Sequence, residues 1–440
     1  MITLGIDIGT TTICAVAVES RTGRLVASRT VANDAATGSP ACQSPERILV
    51  RCRELLADLG SVGDGETVGV TGQMHGIVYL DEGGRPVSPL FTWQDVRGDQ
   101  PWQDGLTYAG HLSRATGHSM ASGYGLTTHF FLQQNGLLPP GATVFCSIAD
   151  YVAMNLAGRP RPLVHPSNAA GFGLFSLEGN RFDPGALAAT GIDSRLLPEI
   201  GPETVLGGTR TKVAIALGDN QASFLGSVAD PATILVNVGT GSQVSMLLDG
   251  PATTGEVRPY WGSMRLGVGS PLCGGDAYAT VKRFLEASVT AFGGRAVDPY
   301  TTMNELARQV LDSSEPLTVD TRFRGTRTDP GRRGAVTGIS AANLTPGQLC
   351  LATLQGIVDE LYELYAAMPQ GTPPRFLVGS GNGVRKNPVL QTLFSRRFGL
   401  PLRVPLYDEE AAYGAALFSL VATGVYPTLA DVQGLIRYQD

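Results

Sequence analysis

Two aspartates, Asp7 and Asp219, each stand where a short apolar run gives way to a turn or a helix. Leu4, Ile6 and Ile8 alternate with small or polar residues as a strand would. Asp7 arrives near its end, just before Gly9 and three consecutive threonines, Thr10, Thr11 and Thr12. Ile13 to Val18 resumes as a second strand. Such a hairpin can hold phosphate oxygens on its hydroxyls and N–H groups while the carboxylate handles a divalent metal, directly or through water. The competing reading is an ordinary turn aspartate. Asp219 closes the apolar strand Val213 to Gly218 and begins a helix. A carboxylate there can accept a proton from a substrate hydroxyl and aim it for phosphoryl transfer, or it can cap the helix. Ile234 to Ser245 repeats the first pattern with Gly239, Thr240 and Gly241 at its turn. Two phosphate-gripping hairpins, one in each half, are what a nucleotide clamped between two related domains requires. In that company Asp219 is read as the base.

Other segments offer a polar substrate wall. Gly72-Gln73-Met74-His75-Gly76 follows a buried strand, and Gln73 and His75 present donors and acceptors suited to a polyol; a satisfied structural histidine is the alternative for His75. Thr92 to Arg97 sets Trp93 and Asp95 within six residues of Arg97, a stacking face beside polar groups, or else a surface loop with a half-buried Trp. Asn168 is a polar break in apolar sequence, and Asn220 follows Asp219. Gly379-Ser380-Gly381-Asn382-Gly383 ends a strand and opens a helix, and its bare backbone suits a flat adenine ring. Arg322 to Pro330 is the most basic stretch; it either touches the nucleotide or is a solvated loop.

Composition narrows the class. The formal charge is −6 and the basic residues are scattered, which argues against a nucleic-acid partner. No uncharged apolar run reaches the about 20 residues that a membrane span needs. The chain enters a strand at once, without a basic region or cleavage site, so secretion is not expected. Its six cysteines are dispersed with no C-x-x-C pair, which fits reduced thiols in the cytoplasm. Neither G-x-x-x-x-G-K-[ST] nor a G-x-G-x-x-G opening a helix after the first strand occurs, so a P-loop or Rossmann reading is poor.

Strand and helix patterns alternate throughout, as in an α/β protein. Ser44 to Leu59 carries the apolar stripe of an amphipathic helix, with Pro45 in its first turn. Asp276 to Phe292, Pro346 to Met368 and Glu409 to Thr423 are later helix candidates. At 440 residues the length suits two domains. The junction falls between Val228 and Ile234, giving an N-terminal domain over 1–229 and a C-terminal domain over 230–440.

Taken in order, Gly5 to Thr10, Gly72 to Gly76, Gly218 to Gln221, Gly239 to Gly241 and Gly379 to Gly381 resemble the FGGY family of carbohydrate kinases over nearly the whole chain. The resemblance implies two ribonuclease-H-like domains of the actin, Hsp70 and sugar-kinase superfold, with an interdomain cleft for ATP and Mg²⁺. It implies that Asp7 orients metal and water, with Asp219 also facing the metal and serving as base. Thr10, Thr11, Thr12, Gly239, Thr240 and Gly241 would hold phosphates, and Gly379, Gly381 and Asn382 would face adenosine. Gln73, Met74, His75, Trp93, Asp95, Asn168, Asp219 and Asn220 would meet the sugar. Within the family, Gly72 to Val78, Thr92 to Asp95 and Asp150 to Leu163 look like the sedoheptulokinase group. That implies a ketose phosphorylated at its terminal primary hydroxyl, sedoheptulose first. Xylulokinases share Gln-Met-His-Gly, so a D-xylulokinase or other pentulose kinase is the alternative, and a sensor that has lost turnover is a more distant one. Many relatives carry a fuller Gly-Gly-Gly run at the adenosine turn. The expected partners are a ketose and ATP, with oligomeric state open, a homodimer included.

Overall fold

The structure, a computed structural model, describes residues 1–60, 65–208, 211–248, 256–295, 297–326, 329, 331–369 and 371–439. These fall into two compact units. The first comprises Met1–Ala229, Arg258–Met264 and Glu409–Ile436; the second comprises Asp230–Val257, Arg265–Asp408 and Arg437–Asp440.

The first unit is built on a sheet whose order is Val205–Gly207, Lys212–Ala214, Gly65–Gly72, Ile2–Ile8, Thr12–Glu19, Leu25–Ala32, with Leu217–Gly218 also on Gly65–Gly72. The last three in that order form an antiparallel meander. Ile2–Ile8, Lys212–Ala214 and Leu217–Gly218 each run parallel to Gly65–Gly72. Parallel strands are buried on both faces, so they read as continuous apolar runs; Ile6, Ile8, Val70 and Leu217 are all sealed from solvent. In the register, Asp7 pairs with Thr71, and Leu217 pairs with the same Thr71. Ile8 and Gly218 likewise both pair with Gly72. The carboxyl ends of three parallel strands therefore finish level, and open α/β sheets bind ligands at that edge.

One face of this sheet is covered by the helix Glu410–Ala422. The contact is backbone on backbone. A Cβ added to Gly69 would lie 1.8 Å from the Ala415 carbonyl, and one added to Gly5 would lie 2.0 Å from the Ala412 carbonyl. The helix Asp219–Ser227 packs beside it as closely, with Gly414 against Ala222 and Gly226 against Glu410. The Thr3, Thr67 and Ser419 hydroxyls close a buried cluster at 2.6–3.0 Å.

The second unit repeats the plan. Thr233–Val238 and Ser242–Leu248 form a hairpin extended by Arg265–Gly269, and Phe376–Ser380 then Leu402–Arg403 continue in parallel on the other side. Its core joins Ile234, Val236 and Leu377 to Leu354, Ile357 and Leu361 of the helix Pro346–Ala366. This is a mixed α/β architecture with one main sheet in each unit, as the sequence leads one to expect. The helix expectations hold to within a few residues at their ends; Tyr108–Thr116 and the short Pro166–Gly171 are added by the structure. Among the described residues no helix is long and apolar enough to cross a membrane.

Candidate active site

The turn after Asp7 is shaped by two side chains from farther along the chain. Asn33 donates to the Gly9 carbonyl at 2.8 Å, and its own N–H donates to the Thr11 carbonyl at 2.8 Å. Gln43 donates to the Thr10 carbonyl at 2.9 Å. With those three carbonyls drawn into the protein, peptide planarity turns the N–H groups of Thr10, Thr11 and Thr12 the opposite way. Successive outward N–H groups make an anion-binding concavity. Thr11 and Thr12 are exposed, so the concavity is open.

Asp7 is half-buried, and its pKa is raised to about 7 by burial first, then by the charges of Asp219 and Glu409. Burial also raises Asp219, while Arg258 and both the backbone and side-chain N–H groups of Asn220 pull it back. Asn220 Nδ2 donates to Asp219 Oδ1 at 2.7 Å. The helix that Asp219 begins is capped by Gly218 without any side-chain hydrogen bond. Gly218 holds the cap position, so Asp219 is the first helical residue and its carboxylate is bonded to the neighbouring Asn220.

Around these acids stands a polar wall. Trp93 Nε1 donates to Thr10 Oγ1 at 2.9 Å, and Thr10 Oγ1 donates to Gln73 Oε1 at 3.2 Å. Gln73 Nε2 then donates to Gln43 Oε1 at 2.9 Å. The indole is 48% exposed although its N–H is bonded, which leaves ring surface for a ligand. Asp95 is 3% exposed and Arg97 neutralises it, with Nη1 3.2 Å from Oδ2, yet that oxygen has no hydrogen bond among the described residues. A buried carboxylate oxygen in that state suits a ligand hydroxyl. His75 adopts φ 73°, stacks on Tyr124 at 4.6 Å and bonds the Gly171 carbonyl through Nδ1 at 2.7 Å. That carbonyl can only accept, so Nδ1 carries the proton. Met74 is buried, its sulfur approached by Asn220 Nδ2 at 3.7 Å and by Arg258 Nη1 at 3.8 Å. Asn168 faces inward, its amide donating to Asp150 Oδ1 and to the Ala216 carbonyl, each at 3.2 Å. One amide hydrogen thus holds the segment that leads to Asp219, and the other is committed to Asp150.

In the second unit, Val238, Gly239 and Thr240 line a cavity of ≈ 440 Å³ together with Asn382, Gly383 and Lys386. Tyr278 and Tyr300 add aromatic surface. Asp276 N–H donates to the Thr240 carbonyl at 2.9 Å, so the next peptide's N–H, that of Gly241, points away from it. Gly381 has φ +77°, and a Cβ there would lie 2.6 Å from the Val238 carbonyl. Gly381 thus permits the close approach of two strand ends, while a Cβ on Gly379 would lie 2.5 Å from Val384 Cγ1; neither glycine is part of the cavity wall, which Asn382 is. In the basic stretch, Arg322 pairs with Asp320 and Arg324 with Asp276, and just beyond it Arg332 also pairs with Asp320. Arg327, Thr328 and Pro330 lie outside the described residues.

Sequence reading passes over Gln43, Arg258 and Lys386. Gln43 precedes a helix and Arg258 stands beside a proline, with no local motif; only the fold brings them to the site. Lys386 follows the glycine turn by three residues, and that spacing is a signal that can be read.

A model of the N-terminal domain of the FGGY family of carbohydrate kinases matches residues 2–236, and the C-terminal domain model matches residues 235–423. The chain is 31% identical to a sedoheptulokinase of Homo sapiens, covering 95% of this chain and 97% of that one. It is 26% identical to a xylulose kinase of Streptomyces coelicolor over 94% of this chain and 86% of that one. A solved gluconate kinase from Lactobacillus acidophilus shares the fold at a TM-score of 0.85 and 20% identity, covering 100% of this chain and 93% of the other.

Proposed function

The chain belongs to the FGGY family of carbohydrate kinases, and from that premise we propose that it phosphorylates a ketose at its terminal primary hydroxyl, with sedoheptulose the preferred acceptor and sedoheptulose 7-phosphate the product. As a sugar phosphotransferase of this family it uses ATP. The observation that carries the mechanism is Asp219: a desolvated carboxylate on the first residue of its helix, at the carboxyl edge of the parallel strands and in the electrostatic field of Asp7. Asp219 accepts the hydroxyl proton as the sugar oxygen attacks, and Asn220 holds the carboxylate in place. Thr10, Thr11 and Thr12 supply donors to phosphate oxygens, a role the turn at Gly239, Thr240 and Gly241 also suits. The cavity behind Asn382 takes the adenosine. Gln73, Met74, His75, Trp93 and Asp95 form the sugar wall, with Asn168 bracing it from behind.

Among the described residues no three metal-ligating side chains cluster. Asp7 and Asp219 alone fit Mg²⁺ well, because that ion keeps several waters and takes one or two carboxylates plus substrate phosphates. When bound, Mg²⁺ neutralises charge on the phosphoryl oxygens. Its effect should be visible without turnover. A carboxylate raised in the folded state favours folding only while protonated, and that contribution is lost as pH rises through the raised value, about 7 for Asp7. Mg²⁺ competes with that proton, so it should raise Tm more at about pH 8 than at about pH 6. Equal shifts at both pH values sink the assignment.

The likeness to a sedoheptulokinase along almost the full length of both chains supports the seven-carbon substrate. ADP release should be measured with Mg·ATP across sedoheptulose, D-xylulose, D-ribulose, D-fructose and glycerol. The highest kcat/KM is expected with sedoheptulose. D-Xylulose in that place would keep the mechanism and change the substrate; no stimulation by any sugar would overturn both.

A further inference from the structure

Glu203 precedes Asp219 and Arg258 in the chain and is hydrogen-bonded toward both, through His165 and Ser167 to the backbone before Asp219 and directly to the Gly262 N–H in the segment that Arg258 begins. Its Oε1 accepts the Gly262 N–H at 2.7 Å and stands 3.2 Å from His165 Nε2. The His165 side chain is 1% exposed. On the other edge of the ring, Nδ1 accepts the Ser167 N–H at 3.2 Å, so that nitrogen carries no proton. The Ser167 hydroxyl, 2.7 Å from Nδ1, therefore donates to it, and Nε2 donates to Glu203. Ser167 Oγ in turn accepts the Gly218 N–H at 2.9 Å. From Gly218 to the carboxylate every donor points the same way, and such chains reinforce one another at low dielectric. Serine, histidine and an acid in this order activate a nucleophile in hydrolases. Here Ser167 is fully sealed, and the far end of the chain is the backbone N–H immediately before Asp219.

The second tie runs through Gly262. The segment Arg258–Met264 turns back on itself, Tyr260 N–H to the Met264 carbonyl at 3.0 Å and Met264 N–H to the Trp261 carbonyl at 2.7 Å. Gln221, two residues beyond Asp219, donates to the Pro259 carbonyl at 2.7 Å. At the start of the segment, Arg258 reaches the Met74 sulfur that Asn220 also approaches.

We propose that Glu203 is a positioning residue that sets two parts of the site at once: the Gly218–Asp219 corner through His165 and Ser167, and the segment carrying Arg258 to the sugar wall through Gly262. The inference rests on the reading of Asp219 as the base and adds what holds it in place. A misplacement of ~1 Å at a reacting group can cost ~10²-fold in rate, so the consequence is large even though Glu203 meets no substrate.

Three variants separate the two ties: Glu203→Ala, Glu203→Gln and Ser167→Ala. They are compared by kcat and ketose KM per folded molecule, and by hydrogen exchange of peptides over 215–221 and 258–264. Glu203→Ala should lower kcat by roughly 10²-fold, raise ketose KM several-fold and speed exchange in both peptides. Glu203→Gln keeps an acceptor oxygen for Gly262 and His165 and should restore most of the rate. Ser167→Ala should lower kcat with KM little changed, and loosen only 215–221. Kinetics and exchange unchanged in Glu203→Ala, or a fall in Tm alone, overturn the proposal. If Glu203→Ala does not fold, Ser167→Ala decides the corner: loosening confined to 215–221 supports it, and exchange over 215–221 unchanged from the parent overturns it. Should the parent show no sugar-stimulated turnover, the kinase reading falls, and the exchange pattern still judges the two ties.

Discussion

Asp219→Asn should lower kcat by about 10³-fold, the scale expected for removing a positioned general base, while ATP affinity stays close to that of the parent. The amide has nearly the same shape as the carboxylate, so the corner after Gly218 keeps its bond to Ser167. What disappears is the ability to take a proton. In the parent, burial raises the Asp219 carboxyl above the usual range while the Arg258 charge and the Asn220 groups pull it back. Calorimetric ATP titration beside the ADP-release assay provides the check. A rate within tenfold of the parent would remove Asp219 from the role of base; loss of ATP binding in parallel would mean that the residue acts on the nucleotide instead.

The second large effect lies in the helix Glu410–Ala422. Gly414→Val should prevent the first unit from folding, because its Cβ would sit 1.8 Å from the Ala222 carbonyl and 2.7 Å from the Gly226 nitrogen. Both obstacles are backbone, with no flexible side chain to move aside. The strain should reach the exceptional range above ~4 kcal/mol, a large share of the ~5–15 kcal/mol that holds an ordinary domain. Soluble yield and the thermal melt followed by circular dichroism measure it. Gly60→Ala, which meets nothing within 4 Å, is the control and should melt like the parent. A Gly414→Val protein melting within a few degrees of the parent would show that the helix can stand off the sheet.

The parts of the site that sequence reveals are those made by one stretch of chain. The Asp7 hairpin, its second-half counterpart and the Asp219 corner each show an apolar strand interrupted by a residue type that strands disfavour, and that conflict is local. Gln43, Arg258 and Glu203 give no such signal, because each acts on a partner that only the folded sheet brings near. Asn168 shows the converse. Its polarity amid apolar sequence is a true signal, but the amide turns inward to brace the Ala216 carbonyl. Polarity in a buried run says that a polar bond exists, not whether its partner is ligand or protein. The glycines at 5, 69, 226 and 414 stand out in composition, yet the helix that needs them bare is recognisable only once it is seen lying across them.

That helix also sets a timetable. The Thr3 hydroxyl bonds Ser419, a partner made 416 residues later. At ~5–20 residues per second the ribosome needs roughly 20–80 s to cover that distance. The chain's first strand therefore waits through most of synthesis with its glycine face uncovered, while the second unit, nearly all of it within Asp230–Asp408, has emerged beforehand. The half of the enzyme that is begun first is the half that is finished last, and a message cut short before codon 410 leaves it an open sheet for chaperones and proteases to find.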